Sequence, residues 1–210
     1  MNLTRKNLIE NARILIVDDW YADVSLMERI LKAEGYRAIA SVTDSREVIE
    51  KFRVFQPDLV ILDISMPRVD GFDVMAQLRG WVSEETYLPI LMLTADASPS
   101  TRQKALSMGA HDFLAKPVDG NEVLLRIYNL LQTQWLYRQM QSQRKRLMEQ
   151  ICISRNELGT VQAEVERLIE KHAIPANVLA TLQAHAGQAF RTIDRLIESA
   201  GESSIPSLTN

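Results

Sequence analysis

The sequence predicts an α/β protein in which a doubly wound, five-stranded parallel sheet is followed by a long α-helical extension. Three observations support this prediction. Short apolar runs alternate with amphipathic segments from residue 13 to about residue 132, as in repeated strand–helix units. Glycine and proline fall between the apolar runs and not within them. No proline occurs from residue 118 to residue 174, where the alternation gives way to one long helical pattern.

The predicted strands and helices follow one another along the chain. The apolar runs assigned to strands cover residues 13–17, 37–41, 59–62, 90–93 and 112–115. The amphipathic segments assigned to helices cover residues 22–33, 45–55, 72–78 and 101–108, and a fifth helix begins near residue 121. Several of the strands are apolar along their whole length, which is typical of a parallel sheet covered by helices on both faces.

The extension carries an apolar repeat. In alternating steps of three and four residues, nine of the twelve positions from Leu130 to Leu168 are apolar, which is the heptad pattern of a coiled coil. Pro175 ends this segment, and a second helix with one apolar face follows it. So narrow a seam requires a partner helix. Two pairings are open: a parallel homodimer, which we favour, or the same chain folded back as a hairpin.

These patterns divide the chain into an α/β domain at 12–132, a helical coiled-coil or hairpin extension at 133–200 and a disordered tail at 201–210. Hydrophobic residues make up 46% of the sequence and charged residues 24%, which argues against wholesale disorder and against a membrane protein. A net charge of −3 gives no general attraction to nucleic acid. Cys152 is the only cysteine, so we expect no internal disulfide and a reducing, cytoplasmic location.

Charged or hydroxyl-bearing residues stand directly after four of the predicted strands: Asp18 and Asp19, Asp63, Thr94 and Lys116. In an open parallel sheet the carboxyl ends of the strands form the ligand-binding edge. Clustered carboxylates repel one another unless a cation joins them, and Mg²⁺ is the expected cation for oxygen ligands. With Mg²⁺ present, one carboxylate can act as a nucleophile toward a phosphoryl group, whose oxygens the hydroxyl and the ammonium would stabilise.

Four segments carry a family resemblance. They are ILIVDD at 14–19, LVILDISMPRVDG at 59–71, ILMLTA at 90–95 and HDFLAKP at 111–117. Together, in this order and at this spacing, they make the chain resemble the two-component response regulator receiver domain over residues 12–132. The resemblance implies a flavodoxin-like receiver fold.

The resemblance also implies a role for each residue of the site. Asp63 would be the phosphoacceptor. Asp19 and Asp63 would bind Mg²⁺ together with the backbone carbonyl of Ser65, and Asp18 would support the metal through water. Mg²⁺ is therefore the expected cofactor.

Two further roles concern the response to phosphorylation. By the resemblance, Thr94 and Lys116 contact the phosphoryl group, and Phe113 is the switch aromatic that turns inward as Thr94 moves. Phenylalanine stands here where the family more often has tyrosine, so a readout through a hydroxyl is not expected. The Lys116–Pro117 bond matches a position that is cis in the family.

The resemblance implies a protein of two-component signal transduction. The partner that supplies the phosphoryl group would be a cognate histidine kinase or a phosphotransfer protein, and the only chemistry would be Mg²⁺-dependent self-phosphorylation. Output would pass through the helical extension, by homodimerisation and by binding an unknown downstream protein, with no membrane or nucleic-acid partner. The alternative is the regulatory receiver and linker of a cyclic-dinucleotide signalling enzyme whose catalytic domain is absent from this sequence.

Overall fold

A computed structural model of the protein describes residues 3–67, 69–82, 86–96, 98–172 and 176–202. The chain divides into two compact units, Met1–Arg138 and Gln139–Asn210. The domain boundary at residues 132 and 133 stays a prediction. Of the predicted disordered tail, residues 203–210 lie outside the described residues, and residues 201 and 202 belong to the last helix.

The first unit contains one five-stranded sheet. Its strands are β1 (Arg13–Val17), β2 (Ala38–Val42), β3 (Leu59–Asp63), β4 (Ile90–Thr94) and β5 (Asp112–Ala115). They are hydrogen-bonded in the order β2-β1-β3-β4-β5, and every neighbouring pair is parallel. This is the flavodoxin-like strand order. The predicted five-stranded parallel sheet is therefore confirmed.

Helices cover both faces of the sheet, which confirms the doubly wound arrangement. They are α1 (Leu3–Asn11), α2 (Tyr21–Glu34), α3 (Val48–Phe55, after a 3₁₀ turn at Ser45–Glu47), α4 (Gly71–Trp81), α5 (Pro99–Ser107), α6 (Gly120–His172) and α7 (Ala176–Glu202). One core packs α3, α4 and α5 on the sheet through residues such as Phe52, Leu78 and Ala105. The other packs α1, α2 and α6 through Ile9, Leu31 and Ile127. None of the described helices is long and apolar enough to span a membrane.

Helix α1 was not predicted from the sequence. It buries Ile9 in the core shared with α2 and α6. The Arg5 guanidinium lies 3.4 Å from a carboxylate oxygen of Glu34 and 4.7 Å from the ring centre of Tyr128. Among residues 5–11 of this short helix, whose side chains the structure describes, only Leu8 and Ile9 pack their apolar side chains inward, which is too few for a helical period to be visible in the sequence.

Polar contacts hold α6 on the first unit as far as Arg138. Asp58, which directly precedes β3, accepts a hydrogen bond from the backbone N–H of Arg13 at 2.8 Å and forms an ion pair with Arg138. With the amide of Gln134 turned so that its oxygen faces Arg138, that oxygen accepts two guanidinium hydrogen bonds, at 2.8 and 2.9 Å. A mostly buried carboxylate therefore anchors the last turn of α6 within this unit.

In the second unit, the later part of α6 and α7 form an antiparallel hairpin. Arg155 of α6 forms an ion pair with Asp194 of α7 at 3.0 Å. Gly159, four residues after Arg155, faces Phe190, which lies four residues before Asp194. The two helices therefore run in opposite directions. The fold-back pairing that the sequence left open is thus present, whereas pairing with a second copy stays a prediction.

Gly159→Ala is expected to stabilise this hairpin by about 0.5 to 1 kcal/mol, because alanine favours the helix and costs less conformational entropy. There is room for the methyl group, since a Cβ at Gly159 would lie 3.9 Å from Cζ of Phe190, an ordinary van der Waals contact. Thermal unfolding of the full chain followed by circular dichroism would measure the change. A lower melting temperature would contradict this packing.

Candidate functional site

The carboxyl ends of four strands bring the predicted polar residues to one edge of the sheet. Asp18 directly follows β1, Asp63 ends β3, Thr94 ends β4 and Lys116 directly follows β5. The strand register aligns these ends, with Asp63 opposite Leu93 and Thr94 opposite Ala115. Asp18 is 2% exposed, Asp63 3% and Thr94 not at all. This edge, which we call the acidic edge, therefore holds two almost fully buried carboxylates.

The Lys116 ammonium joins the carboxylates of this edge. Its Nζ lies 2.7 Å from Oδ2 of Asp18, 2.7 Å from Oδ1 of Asp63 and 2.9 Å from Oδ2 of Asp23. Asp23 was not predicted from the sequence. It lies in the first turn of α2, where an acidic residue usually indicates only a favourable interaction with the helix dipole. Its position five residues after Asp18, at the start of the helix that follows β1, is the signal that could have placed it at the site.

Asp18, Asp19 and Asp63 form a group that can hold a metal ion. Each offers a carboxylate oxygen, and these oxygens all lie within 4.8 Å of one another. A set of carboxylate oxygens without nitrogen or sulfur donors fits a hard cation such as Mg²⁺. The residues present are therefore compatible with the predicted metal.

Burial and charge act in opposite directions at this edge. Burial raises the pKa of Asp18 above its usual value, and it outweighs the hydrogen bonds that Asp18 accepts from Lys116 and from the backbone N–H of Trp20. Burial alone would lower the pKa of Lys116, but its hydrogen bonds to Asp18, Asp63 and Asp23 raise it above the usual range. Lys116 therefore stays positively charged. Its one positive charge contacts three carboxylates, those of Asp18, Asp23 and Asp63, and this imbalance favours binding of a further cation.

The Thr94 hydroxyl is engaged by the loop after β4. It accepts a hydrogen bond from the backbone N–H of Asp96 at 3.0 Å and donates one to the carbonyl of Asp96 at 3.3 Å. The Asp96 carboxylate in turn accepts hydrogen bonds from the hydroxyl of Thr101 at 2.6 Å and from the N–H of Ser98 at 2.9 Å. These bonds lower the pKa of Asp96, the one from Thr101 most strongly. The loop is thus tied to the start of α5 with Thr94 turned toward it.

The residues that form this site lie within a stretch of the chain that matches a known protein family. The family model described as the response regulator receiver domain matches residues 14–128. The chain belongs to this family. The match covers β1 to β5 and the first part of α6 and therefore includes every predicted site residue.

Relatives of known name support this assignment. The chain is 36% identical over 121 residues to PhoP of Bacillus subtilis (strain 168), an alkaline phosphatase synthesis transcriptional regulatory protein, covering 58% of this chain and 49% of PhoP. It is 42% identical over 119 residues to the response regulator MprA of Mycolicibacterium vanbaalenii, covering 57% of this chain and 50% of MprA. The chain thus spans about half the length of these curated relatives.

A solved structure agrees with the fold. The CheX–CheY–BeF3–Mg²⁺ complex from Borrelia burgdorferi contains a chain to which this response regulator is similar, with a TM-score of 0.54 and 28% sequence identity. The similarity covers 58% of this chain and 90% of that one. The flavodoxin-like receiver fold predicted by resemblance is therefore confirmed.

The remaining predicted residues of the receiver, Phe113 and Ser65, lie within three residues of Lys116 or Asp63 in the sequence. Phe113 lies in β5, three residues before Lys116, and its partly buried ring packs against the core formed with α3, α4 and α5. Ser65 is exposed and lies in the loop two residues after Asp63. The Lys116–Pro117 peptide bond is cis, as the family resemblance implied. The switch role of Phe113 and the metal-binding role of the Ser65 carbonyl stay predictions.

Gly71 joins the end of the loop that follows Asp63 to its beginning by a backbone hydrogen bond. Its backbone N–H donates a hydrogen bond to the carbonyl of Ile64 at 2.9 Å. A Cβ at this position would lie 2.2 Å from the carbonyl oxygen of Asp63 and 2.8 Å from Cα of Ile64, far inside contact distance. Only glycine lets the start of α4 approach the backbone of the predicted phosphoacceptor so closely.

Proposed function

We propose that this response regulator accepts a phosphoryl group on Asp63 in two-component signal transduction and passes the signal on through its helical extension. The observation that carries the proposal is the Asp63 carboxylate itself. It is buried at the carboxyl end of β3, 2.7 Å from the Lys116 ammonium and within 4.8 Å of the carboxylates of Asp18 and Asp19. Membership in the receiver family supports the same reaction.

The proposed reaction is a transfer from a phosphorylated histidine. The Asp63 carboxylate oxygen that does not contact Lys116 attacks phosphorus, the phosphorus–nitrogen bond of the phosphohistidine breaks, and the imidazole leaves with the electron pair and takes up a proton. The Lys116 ammonium stabilises the negative charge on the phosphoryl oxygens. The Thr94 hydroxyl exchanges its hydrogen bonds with Asp96 for one to the phosphoryl group. This self-phosphorylation is the only chemistry that we propose for the chain.

Mg²⁺ is the proposed cofactor. Asp18, Asp19 and Asp63 would hold it, together with the backbone carbonyl of Ser65. When bound, the ion supplies positive charge that offsets the carboxylates and the incoming phosphoryl oxygens. The carboxylate donor set supports this choice, as does the presence of Mg²⁺ in the named CheY complex of Borrelia burgdorferi.

Phosphorylation adds about two negative charges beside Lys116, and we propose that Thr94 and Phe113 respond to them. Helix α6 is the proposed route of output because it begins at Gly120, four residues after Lys116, and continues into the second unit as far as His172. The output would be a change in homodimerisation or in binding of a downstream protein through the extension.

The proposed partners follow from this function. A cognate histidine kinase or a phosphotransfer protein supplies the phosphoryl group, in the cytoplasm. Nucleic acid and membranes are not among the proposed partners, since the net charge is −3. The regulation of transcription stated in the name of PhoP belongs to PhoP, of which this chain covers about half. The named relatives favour a response regulator over the cyclic-dinucleotide alternative.

Labelling with a small phosphodonor tests the proposal. We expect acetyl phosphate with Mg²⁺ to add one phosphoryl group to the full chain, measured by intact mass, and a chelator to prevent it. Asp63→Asn keeps the shape of the side chain but removes the nucleophile, so labelling should fall to background. Asp73→Asn changes an exposed carboxylate in the first turn of α4 and should leave labelling unchanged. Full labelling of Asp63→Asn would overturn the proposal.

A further inference from the structure

Helix α7 covers one side of α6 in the second unit. At about 100° per residue, the α6 residues that are partly buried there fall mostly on one side of the helix. Arg155, which pairs with Asp194, lies on the same side. The partly buried residues are Gln141, Arg144, Met148, Ile151, Gly159, Gln162 and Val165. The predicted heptad seam is therefore divided, because Arg144, Ile151 and Val165 are partly covered within the chain.

The other half of that seam is open. Met140 is 52% exposed, Leu147 59%, Leu158 39% and Val161 59%. Their spacing of seven, eleven and three residues places all four within a sector of about 60° on the helix surface. We call these four residues the open stripe. A line of large apolar side chains along a helix, beside the face already used by a partner, is typical of helices that join a larger bundle.

The open stripe is free of charge on a strongly charged helix. Residues 139–167 include nine lysine, arginine, aspartate and glutamate residues, and all nine lie outside the sector of the stripe. The exposed polar residues that lie in the sector or up to about 20° beside it are Gln143, Gln150 and Ser154, and all three are uncharged. A charged partner would therefore find no complementary group on this face.

A second copy of the chain fits these properties. In a two-fold symmetric pair each residue near the axis meets its own equivalent, so any charge there would face a like charge. The uncharged stripe avoids that repulsion. The position of Ser154 indicates the direction of pairing. An antiparallel pair that aligns Met140 with Val161 would place Ser154 against Leu147, whereas a parallel pair in register places Ser154 against Ser154 and leucine against leucine.

We infer that the open stripe is the homodimer interface, in which the α6 helices of two copies run parallel and in register while α7 stays packed on the adjacent side of each. The inference rests on the proposed output through the extension and names the surface and the partner that carry it. It differs from the seam predicted from the sequence, because the side of α6 that includes Arg155 and Gly159 is assigned to α7.

Charge placed on the stripe should separate the two copies. We expect Leu147→Glu to raise the dissociation constant of the dimer at least tenfold, because it sets two carboxylates against each other in an apolar interface. Ile153→Glu is the matched control. Ile153 is 58% exposed, almost the same as Leu147, but lies about 110° around the helix from the middle of the stripe. Sedimentation equilibrium of the full chain, with and without acetyl phosphate and Mg²⁺, measures the masses.

A wild-type chain that is monomeric in both states would overturn the inference, and so would equal weakening by Leu147→Glu and Ile153→Glu. Both residues are exposed within the chain, so neither substitution should prevent folding. Labelling of Asp63 is measured on the same samples. Normal labelling of a monomeric wild-type chain would overturn the dimer interface and leave the proposed phosphoacceptor function standing, so the two failures are distinguishable.

Disulfide formation tests the direction of pairing. In a Cys152→Ser background, a parallel pair in register should form intermolecular disulfides through Leu147→Cys and also through Ser154→Cys, since each position meets itself. An antiparallel pair can bring at most one of these positions onto its equivalent. Thr160→Cys is exposed but lies off the stripe and should not cross-link. Cross-linking at one stripe position only, or equally at Thr160→Cys, would overturn the parallel arrangement.

Discussion

Replacing Lys116 with methionine is expected to lower the free energy of unfolding by about 3 kcal/mol at pH 7 in the presence of a chelator. The ammonium contacts two carboxylates that are almost fully buried, those of Asp18 and Asp63. Methionine fills a similar volume but leaves both buried carboxylates without their cation. Chemical denaturation followed by circular dichroism measures the change.

The destabilisation by Lys116→Met should depend on pH in a definite direction. Burial already raises the pKa of Asp18, and removing the Lys116 hydrogen bond raises it further. A carboxyl group whose pKa is higher in the folded state stabilises the fold below its unfolded pKa of about 3.9 and loses that contribution as the pH rises through the folded value. The variant and the wild type should therefore converge in stability toward pH 4 and diverge toward pH 7.

Two comparisons make this prediction specific to the site. Lys32→Met removes an exposed lysine whose Nζ lies 2.7 Å from Glu28 on the surface of α2, and it should cost no more than about 0.5 kcal/mol. Saturating Mg²⁺ should restore part of the stability of Lys116→Met, because a divalent cation offsets the same carboxylates. Equal stability of Lys116→Met and the wild type would contradict the electrostatic account of the edge.

The sheet was predictable because its central strands β1, β3 and β4 are almost wholly buried, which makes their sequences apolar along nearly their whole length. The apolar runs at β1 and β5 give the observed bounds, and the run at β2 is displaced by one residue. The convergence of Asp18, Asp63 and Lys116 followed from the same pattern, since parallel strands end at a common edge. Local sequence was sufficient to predict this convergence, because a residue at the end of a parallel strand lies at the same edge of the sheet as the ends of its neighbours.

Features that depend on tertiary packing were not predictable in the same way. Asp23 reaches Lys116 only because α2 starts beside the acidic edge. Helix α1 is held by Ile9 in a core that also includes α2 and α6, and its own sequence shows no clear period. The heptad pattern of α6 indicated that a partner helix exists, but it could not show that α7 takes one side and leaves Leu147 exposed.

Gly71→Ala is expected to destabilise the receiver by at least about 2 kcal/mol and to slow phosphorylation of Asp63. The new Cβ would lie 2.2 Å from the carbonyl oxygen of Asp63 and 2.8 Å from Cα of Ile64. Both obstacles are backbone atoms, so no side-chain rotation can relieve the overlap. Either the start of α4 or the end of β3 must move, and the second movement displaces the phosphoacceptor itself.

Gly80→Ala, near the other end of α4, separates this close contact from the general effect of replacing a helical glycine. Among the described residues, no atom outside the helix backbone lies within 4 Å of a Cβ at Gly80, so alanine there should stabilise the helix by up to about 1 kcal/mol and leave labelling by acetyl phosphate unchanged. Opposite signs for the two substitutions in chemical denaturation, with slower labelling only for Gly71→Ala, are the expected result. If Gly71→Ala matched Gly80→Ala in both measurements, the loop after Asp63 would not be packed against the backbone of the acceptor, and the geometry on which the proposed reaction depends would be wrong.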